Sequence, residues 1–208
     1  MRAVVFGPGR IGCGFVGRLL RKEGYELTFV TRTPEAAHRL QRAGHYRVRL
    51  VWQPELEEVV VDGFNAVPCT RPRRVAEAVA GADLVATAVG PGNLAAVAPL
   101  IAGGLERRTS AVNVVAFENL LDAGPYLRHR VADAMREAPQ AWEHGGSGGL
   151  VHSAVTQRIG HPTEVTFIGD PVSTFVVDGR GLRPSLPGLS GLIVANDYPA
   201  WVRRKLYT

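Results

Sequence analysis

Residues 2–15 read Arg-Ala-Val-Val-Phe-Gly-Pro-Gly-Arg-Ile-Gly-Cys-Gly-Phe, and the fold turns on them. Arg2 to Phe6 is a short apolar run that stops at glycine, which predicts a buried strand. Ile11, Phe15, Leu19 and Leu20 then recur at helical spacing, which predicts a helix through Lys22. Gly7-Pro8-Gly9-Arg10-Ile11-Gly12 joins the two. Strand, G-x-G-x-x-G, helix is the arrangement in which a backbone can cradle a dinucleotide. The first glycine permits the tight turn. The second lets the main chain approach the pyrophosphate, and the third lets helix and strand pack closely. The helix start, with Arg10 and Ile11 beside Gly12, adds N–H donors and the positive end of a dipole.

Leu27 to Val30 is a second strand, and its end decides which dinucleotide is expected. An acid there accepts hydrogen bonds from the ribose 2′-hydroxyl of NAD, whereas an arginine accommodates the 2′-phosphate of NADP. The chain reads Thr31-Arg32-Thr33, with no acid before Glu35. Arg32 is expected to pair with the phosphate, and Thr31 and Thr33 to hydrogen-bond it. NADP(H) is the expected cofactor, with NAD(H) kept as the alternative.

Further along, helical and strand patterns alternate. Helices are predicted over Pro34–Ala43, Val75–Ala80, Asn93–Ala102 and Leu120–Arg136, the last interrupted near Gly124-Pro125. Strands are predicted over Asp83–Val89 and Ala111–Phe117. Alternation of this kind implies a doubly wound, mostly parallel sheet of Rossmann type with right-handed crossovers. Tyr46–Val51 and Val59–Val61 break the rhythm and read as an inserted hairpin at the sheet's edge. Residues 1–138 are expected to form the dinucleotide-binding domain. Residues 139–208 are expected to be a β-rich extension with a terminal helix. In that extension Gly145–Gly149 reads as a flexible loop. Leu150–Val155, Val165–Ile168 and Ser173–Val177 read as strands, and Leu192–Leu206 as a helix broken near Pro199.

Thr87-Ala88-Val89-Gly90 and Phe117-Glu118-Asn119 each end a predicted strand. Both segments would face the crevice at the carboxyl end of the sheet, where the nicotinamide half of a ligand lies. Ala88, Val89, Gly90 and Asn119 are therefore candidate cofactor contacts.

The 208 residues suit one domain with a small appendage. Cys13 and Cys69 make no disulfide framework and no metal-ligand pattern, so no metal is expected. The net charge is +5, but the arginines are dispersed and no aromatic residues interleave them. Phosphate-bearing small molecules therefore fit better than nucleic acid. No apolar run is long enough for a membrane span, and MRAVVFGPG lacks the features of a secretion signal. A cytoplasmic protein is expected.

Several motifs in one order carry a family resemblance. GPGRIGCGFVGRLL, GYELTFV, NAVP, DLVATAVGP, VNVVAFENL, LVHSAV, TFVVDG and AWVRRKLYT resemble, in turn, segments of the long-chain mannitol dehydrogenase family, in its mannitol-1-phosphate 5-dehydrogenase branch. The resemblance implies an N-terminal nucleotide-binding domain and reversible oxidation of a secondary alcohol on a polyol or sugar phosphate. It also implies a lysine as general acid/base, at Lys205, and an asparagine beside the reacting oxygen, at Asn119. The chain ends before the rest of the family's Lys-Asn-His set and before its helical C-terminal domain. His152 and Thr156 stand where the family carries acids. His152 is thus a second proton-transfer candidate, and Glu118 a third.

Two function classes stay open on these grounds. One is an oxidoreductase, or a redox-neutral epimerase, acting on a hydroxyl of a sugar, polyol phosphate or nucleoside. The other is a non-catalytic cofactor-binding module. An open crevice would favour cover by a second subunit, so a homodimer is expected.

Overall fold

The computed structural model describes residues 1–208 except 53–54, 121, 136–145, 152–156, 161–164, 170–173, 183–185, 187–188 and 202–208. The sheet is laid down by β1 (Arg2–Phe6), β2 (Glu26–Thr31), β5 (Asn65–Pro68), β6 (Leu84–Thr87), β7 (Asn113–Phe117), β8 (Gly146–Val151), β11 (Phe175–Asp178) and β12 (Leu192–Ala195). Their spatial order is β12-β11-β8-β7-β6-β1-β2-β5. The run from β5 to β8 is parallel throughout. β11 lies antiparallel to β8, and β12 runs parallel to β11. Chain direction across the sheet reverses beside β1, between β2 and β6. In doubly wound sheets that reversal opens a crevice at the carboxyl ends of the strands.

Alternation along β1 divides the core. Ala3 and Val5 face one cluster, with Leu27, Phe29, Leu84 and Ala86. Val4 and Phe6 face the other, with Val30, Val85, Val114 and Ala116. Both faces are covered, so every residue of β6 and β7 is buried. This is why these strands read as continuous apolar runs rather than as alternating ones. The second face is covered by α3 (Pro72–Ala80), α4 (Leu94–Leu105) and α5 (Ala123–Ala134). On the first lie the glycine helix and α2 (Pro34–Ala43). The glycine helix starts at Arg10, passes through a π-helical turn over Gly12–Gly17 and ends as α1 (Arg18–Lys22).

The hairpin forms as expected but not at the edge of this sheet. β3 (His45–Trp52) and β4 (Glu55–Asp62) belong to a second sheet of order β4-β3-β10-β9, with β9 (Gln157–Gly160) and β10 (Val165–Gly169). β10 pairs in parallel with β3, a partner from far along the chain that no local pattern announces. Tyr46, Val48 and Leu50 of β3 point into the first core cluster. Arg47 and Arg49 lie on the opposite face and share Glu58 of β4, at 2.7 and 2.9 Å.

Two further expectations are corrected. Residues 146–149, read as a glycine loop, are strand: Gly146–Gly149 pair with Val114–Phe117 of β7. β7 supplies the pairing that side-chain patterning could not advertise, and β11 joins on the other side from Gly149. Leu192–Ala195, read as the start of a helix, is β12, paired with Phe175–Asp178. The β-branched Ile193 and Val194 suit that extended backbone. Helix resumes only at Tyr198, after the turn at Asn196-Asp197. α3 also starts earlier than expected, at Pro72, where proline's fixed φ suits the first helical turn. Among the described residues no helix is long and apolar enough to cross a membrane.

The two layers on the first face meet at Gly17. A β-carbon there would lie 2.5 Å from the Tyr46 hydroxyl and 2.8 Å from Cζ of Phe29. The same hydroxyl donates to the Cys13 carbonyl at 3.1 Å. The helix that carries the glycine motif is therefore pressed against both sheets. Gly17→Ala is expected to lower stability by about 1–3 kcal/mol, the usual cost of overpacking a filled core. Urea unfolding checks this, and an unchanged midpoint would contradict the packing.

Candidate functional site

The turn after β1 is built from three glycines with three different constraints. Gly7 has φ +86°, and a β-carbon on it would lie 2.5 Å from the Ala88 carbonyl oxygen. At Gly12 a β-carbon would collide with the carbonyl of Gly7. Both are closed by the protein itself. Gly9 differs, since a β-carbon there would meet nothing within 4 Å. The main chain at Gly9 thus borders open space at the start of a helix. The first intrahelical bond there runs from Cys13 N–H to the Gly9 carbonyl, at 2.9 Å. The N–H groups of Arg10, Ile11 and Gly12 precede it and belong to the first helical turn, which has no acceptor behind it. An anionic pyrophosphate fits such a cradle on steric and electrostatic grounds.

Backbone hydrogen bonds hold the strand ends in register around this turn. Gly7 N–H donates to the Val30 carbonyl at 3.0 Å, and Ala88 N–H to the Phe6 carbonyl at 2.8 Å. The end of β2 and the segment after β6 therefore flank Gly7 on opposite sides.

At the end of β2 both threonine hydroxyls bond neighbouring backbone. The Thr31 hydroxyl, buried, donates to the Thr33 carbonyl at 2.9 Å. The Thr33 hydroxyl accepts from Ala36 N–H at 3.3 Å, capping α2. Capping leaves Arg32 between them exposed, and among the described residues it makes no ion pair. The loop after β5 lies alongside. Cys69 N–H donates to the Thr31 carbonyl at 2.8 Å, and its Sγ donates to the Arg32 carbonyl at 3.0 Å. Arg71, two residues on, is also exposed. Nothing in the sequence pattern linked the Cys69–Arg71 loop to Arg32, because the two meet only through the pairing of β2 with β5.

Beyond β6 and β7 the structure brings Ala88, Val89, Gly90 and Glu118 together. Glu118 is 5% exposed. Its Oε1 accepts from Val89 N–H and its Oε2 from Gly90 N–H, each at 2.8 Å. The Thr87 hydroxyl is buried close by and favours the ionised form, without a well-formed hydrogen bond. Asn119 follows as an exposed residue. Lys205 and His152 lie outside the described residues. The clamp made by Glu118 was missed in the sequence. An acid directly after a fully apolar strand was the only signal for it.

Burial pushes the Glu118 carboxyl above the usual glutamate value, and the two amide donors pull against that shift without cancelling it. The folded chain thus holds this proton more tightly than the unfolded chain. The stability this contributes is fully present below the unfolded value of about 4.3. It is lost as pH rises through the folded value. The stability of the parent relative to Glu118→Gln should therefore fall as pH rises through that window and then level off. Urea titrations at a series of pH values check the sign, and a difference that grows with pH would contradict it.

The family model for the mannitol dehydrogenase Rossmann domain matches residues 1–179. A mannitol-1-phosphate 5-dehydrogenase of Brevibacillus brevis is 34% identical over 215 residues, an alignment that spans 100% of this chain and 55% of that protein. The chain thus spans about half the length of this curated relative. An octopine dehydrogenase solved with NADH and agmatine aligns at a TM-score of 0.65 and 14% identity. That alignment covers 94% of this chain and 48% of that one. A ketopantoate reductase from Ralstonia eutropha aligns at a TM-score of 0.59 and 18% identity, over 86% of this chain and 49% of that one. At these identities the two solved structures speak for the fold alone.

Proposed function

The chain belongs to the mannitol dehydrogenase family, and on that premise we propose that it is the nucleotide-binding part of an NAD(P)-dependent oxidoreductase acting on a secondary hydroxyl of a polyol or sugar phosphate. One observation carries the reading. Gly7 and Gly12 are closed by protein atoms while Gly9 faces open space, at the carboxyl end of β1 where chain direction reverses across the sheet. A glycine turn with a purely structural role would need no such opening.

Within this reading Gly9 and the N–H groups of Arg10, Ile11 and Gly12 hold the pyrophosphate. Arg32 takes the 2′-phosphate of NADP, with Arg71 of the neighbouring loop beside it. Thr31 and Thr33 shape that end of β2 through their own hydrogen bonds. Ala88, Val89 and Gly90 offer the nicotinamide a wall, since their N–H groups are already engaged. A nicotinamide dinucleotide held by these residues would supply hydride-transfer chemistry. Asn119 donates to the alcohol oxygen, on which negative charge grows, and Lys205 or His152 takes its proton.

Arg32→Ala is expected to weaken NADP(H) by roughly tenfold to hundredfold, the worth of a charged hydrogen bond of about 1.5–3 kcal/mol. NAD(H) should be nearly unaffected. Equal losses for both cofactors in calorimetry would sink the assignment.

Gly9→Val should abolish dinucleotide binding while leaving the fold intact, because the added side chain enters open space rather than protein. Undiminished binding by a folded variant would place the site elsewhere.

For proton transfer the variants are Asn119→Ala, Lys205→Ala, His152→Ala and the Lys205/His152 double variant. Turnover with a panel of polyols and sugar phosphates should fall by roughly 10²–10⁴-fold when the general base is lost. A double variant that turns over at the parent rate would assign the proton to another group.

A further inference from the structure

The N–H groups of residues 88–90 are all spent inside the protein. Ala88 donates to Phe6, and Val89 and Gly90 donate to the two oxygens of Glu118. Asn93 ties the carbonyl side: its Nδ2 donates to the Val89 carbonyl at 2.8 Å and its N–H to the Gly90 carbonyl at 2.9 Å. Gly90 has φ +86°, a region that favours glycine. Just before it, two successive N–H groups, those of Val89 and Gly90, reach one carboxylate. Successive amides aimed at a single point form an anion-binding concavity. Here the chain supplies the anion itself, from the end of the adjacent strand.

We propose that Glu118 is a positioning residue for the nicotinamide half of the cofactor, bridging the carboxyl ends of β6 and β7 and fixing residues 88–90 as the wall that half rests against. The inference rests on the cofactor reading above and deepens it. The assignment to the nicotinamide half follows from the layout. The glycine turn takes the pyrophosphate, and the end of β2 takes the adenosine side. The ends of β6 and β7 are left for the other half. A direct role in proton transfer does not suit Glu118, because both of its oxygens already accept hydrogen bonds and the side chain is buried. Its charge matters for a simpler reason. A carboxylate is acceptor-only on both oxygens, so it satisfies two amides at once. A glutamine offers one oxygen and one NH₂, which leaves one of the amides facing a donor. The wall must then shift, and the cofactor loses a surface that was ordered before it bound.

Calorimetry of the full chain with NADP(H) and with 2′-phospho-ADP-ribose, which lacks nicotinamide, separates this role from a merely structural one. Glu118→Gln should weaken NADP(H) about tenfold, on the order expected for losing one charged hydrogen bond. Affinity for 2′-phospho-ADP-ribose should stay within about twofold. Asn93→Ala, at an exposed position, should show the same split with a smaller loss of about threefold, and it decides the matter if Glu118→Gln does not fold. Equal losses for both ligands, or a folded Glu118→Gln protein that binds NADP(H) like the parent, would overturn the inference. A parent that binds neither of these ligands nor NAD(H) would overturn the cofactor reading and this inference with it.

Discussion

The close approach of Gly7, Gly12 and Ala88 is the constraint on which the rest of the structure depends. The main chain must leave β1, reverse within a few residues and enter a helix packed directly on the strand. No side chain fits at Gly7 or Gly12, because main-chain carbonyls of Ala88 and Gly7 stand where their β-carbons would be. That crowding draws the ends of β2, β1 and β6 together through Gly7 N–H to Val30 and Ala88 N–H to Phe6. It also leaves Gly9 as the one glycine of the motif with open space beside it. The candidate binding site is thus what remains after the turn has satisfied its own packing.

Around that turn the protein spends polar groups locally. Thr33 caps α2, and Thr31 holds the Thr33 carbonyl. Glu118 satisfies the amides of residues 89 and 90. On the far side of the glycine helix the second sheet acts as a brace. The buried Tyr46 hydroxyl bonds the Cys13 carbonyl, and its ring packs against Phe29, Phe64 and Phe167 at centroid distances of 5.5–6.0 Å. A cradle held from behind in this way loses little freedom when a ligand arrives.

The first half of the chain was largely legible in the sequence because its signals are local. Apolar runs mark β1, β2, β6 and β7, a proline marks the start of α2, and the glycine spacing marks the turn. The remainder was illegible for specific physical reasons. Gly146-Ser147-Gly148-Gly149 carries almost no side-chain information, so its strand character comes from pairing with β7, joined by β11 at Gly149. Ile193 and Val194 sit in a run that also suits a helix, and pairing with β11 settles the matter. The hairpin over residues 46–61 was readable as β, but its sheet required β10 from much later in the chain. At the candidate site the glycine turn was legible from its spacing. The bonds that the Thr31 and Thr33 hydroxyls make to neighbouring backbone were not legible, because they depend on the turn geometry. The two bonds by which Glu118 holds the loop over residues 89–90 were not legible, because they join the ends of two strands far apart in sequence.

The central claim is that the space beside Gly9 is a dinucleotide site. Hydrogen–deuterium exchange of the unmodified protein, alone and with NADP(H) or NAD(H), tests it most directly. The account predicts slowed exchange concentrated in residues 9–12, with further slowing at residues 31–33. Exchange that is unchanged there, or slowed only in segments remote from the carboxyl ends of β1, β2 and β6, would contradict it.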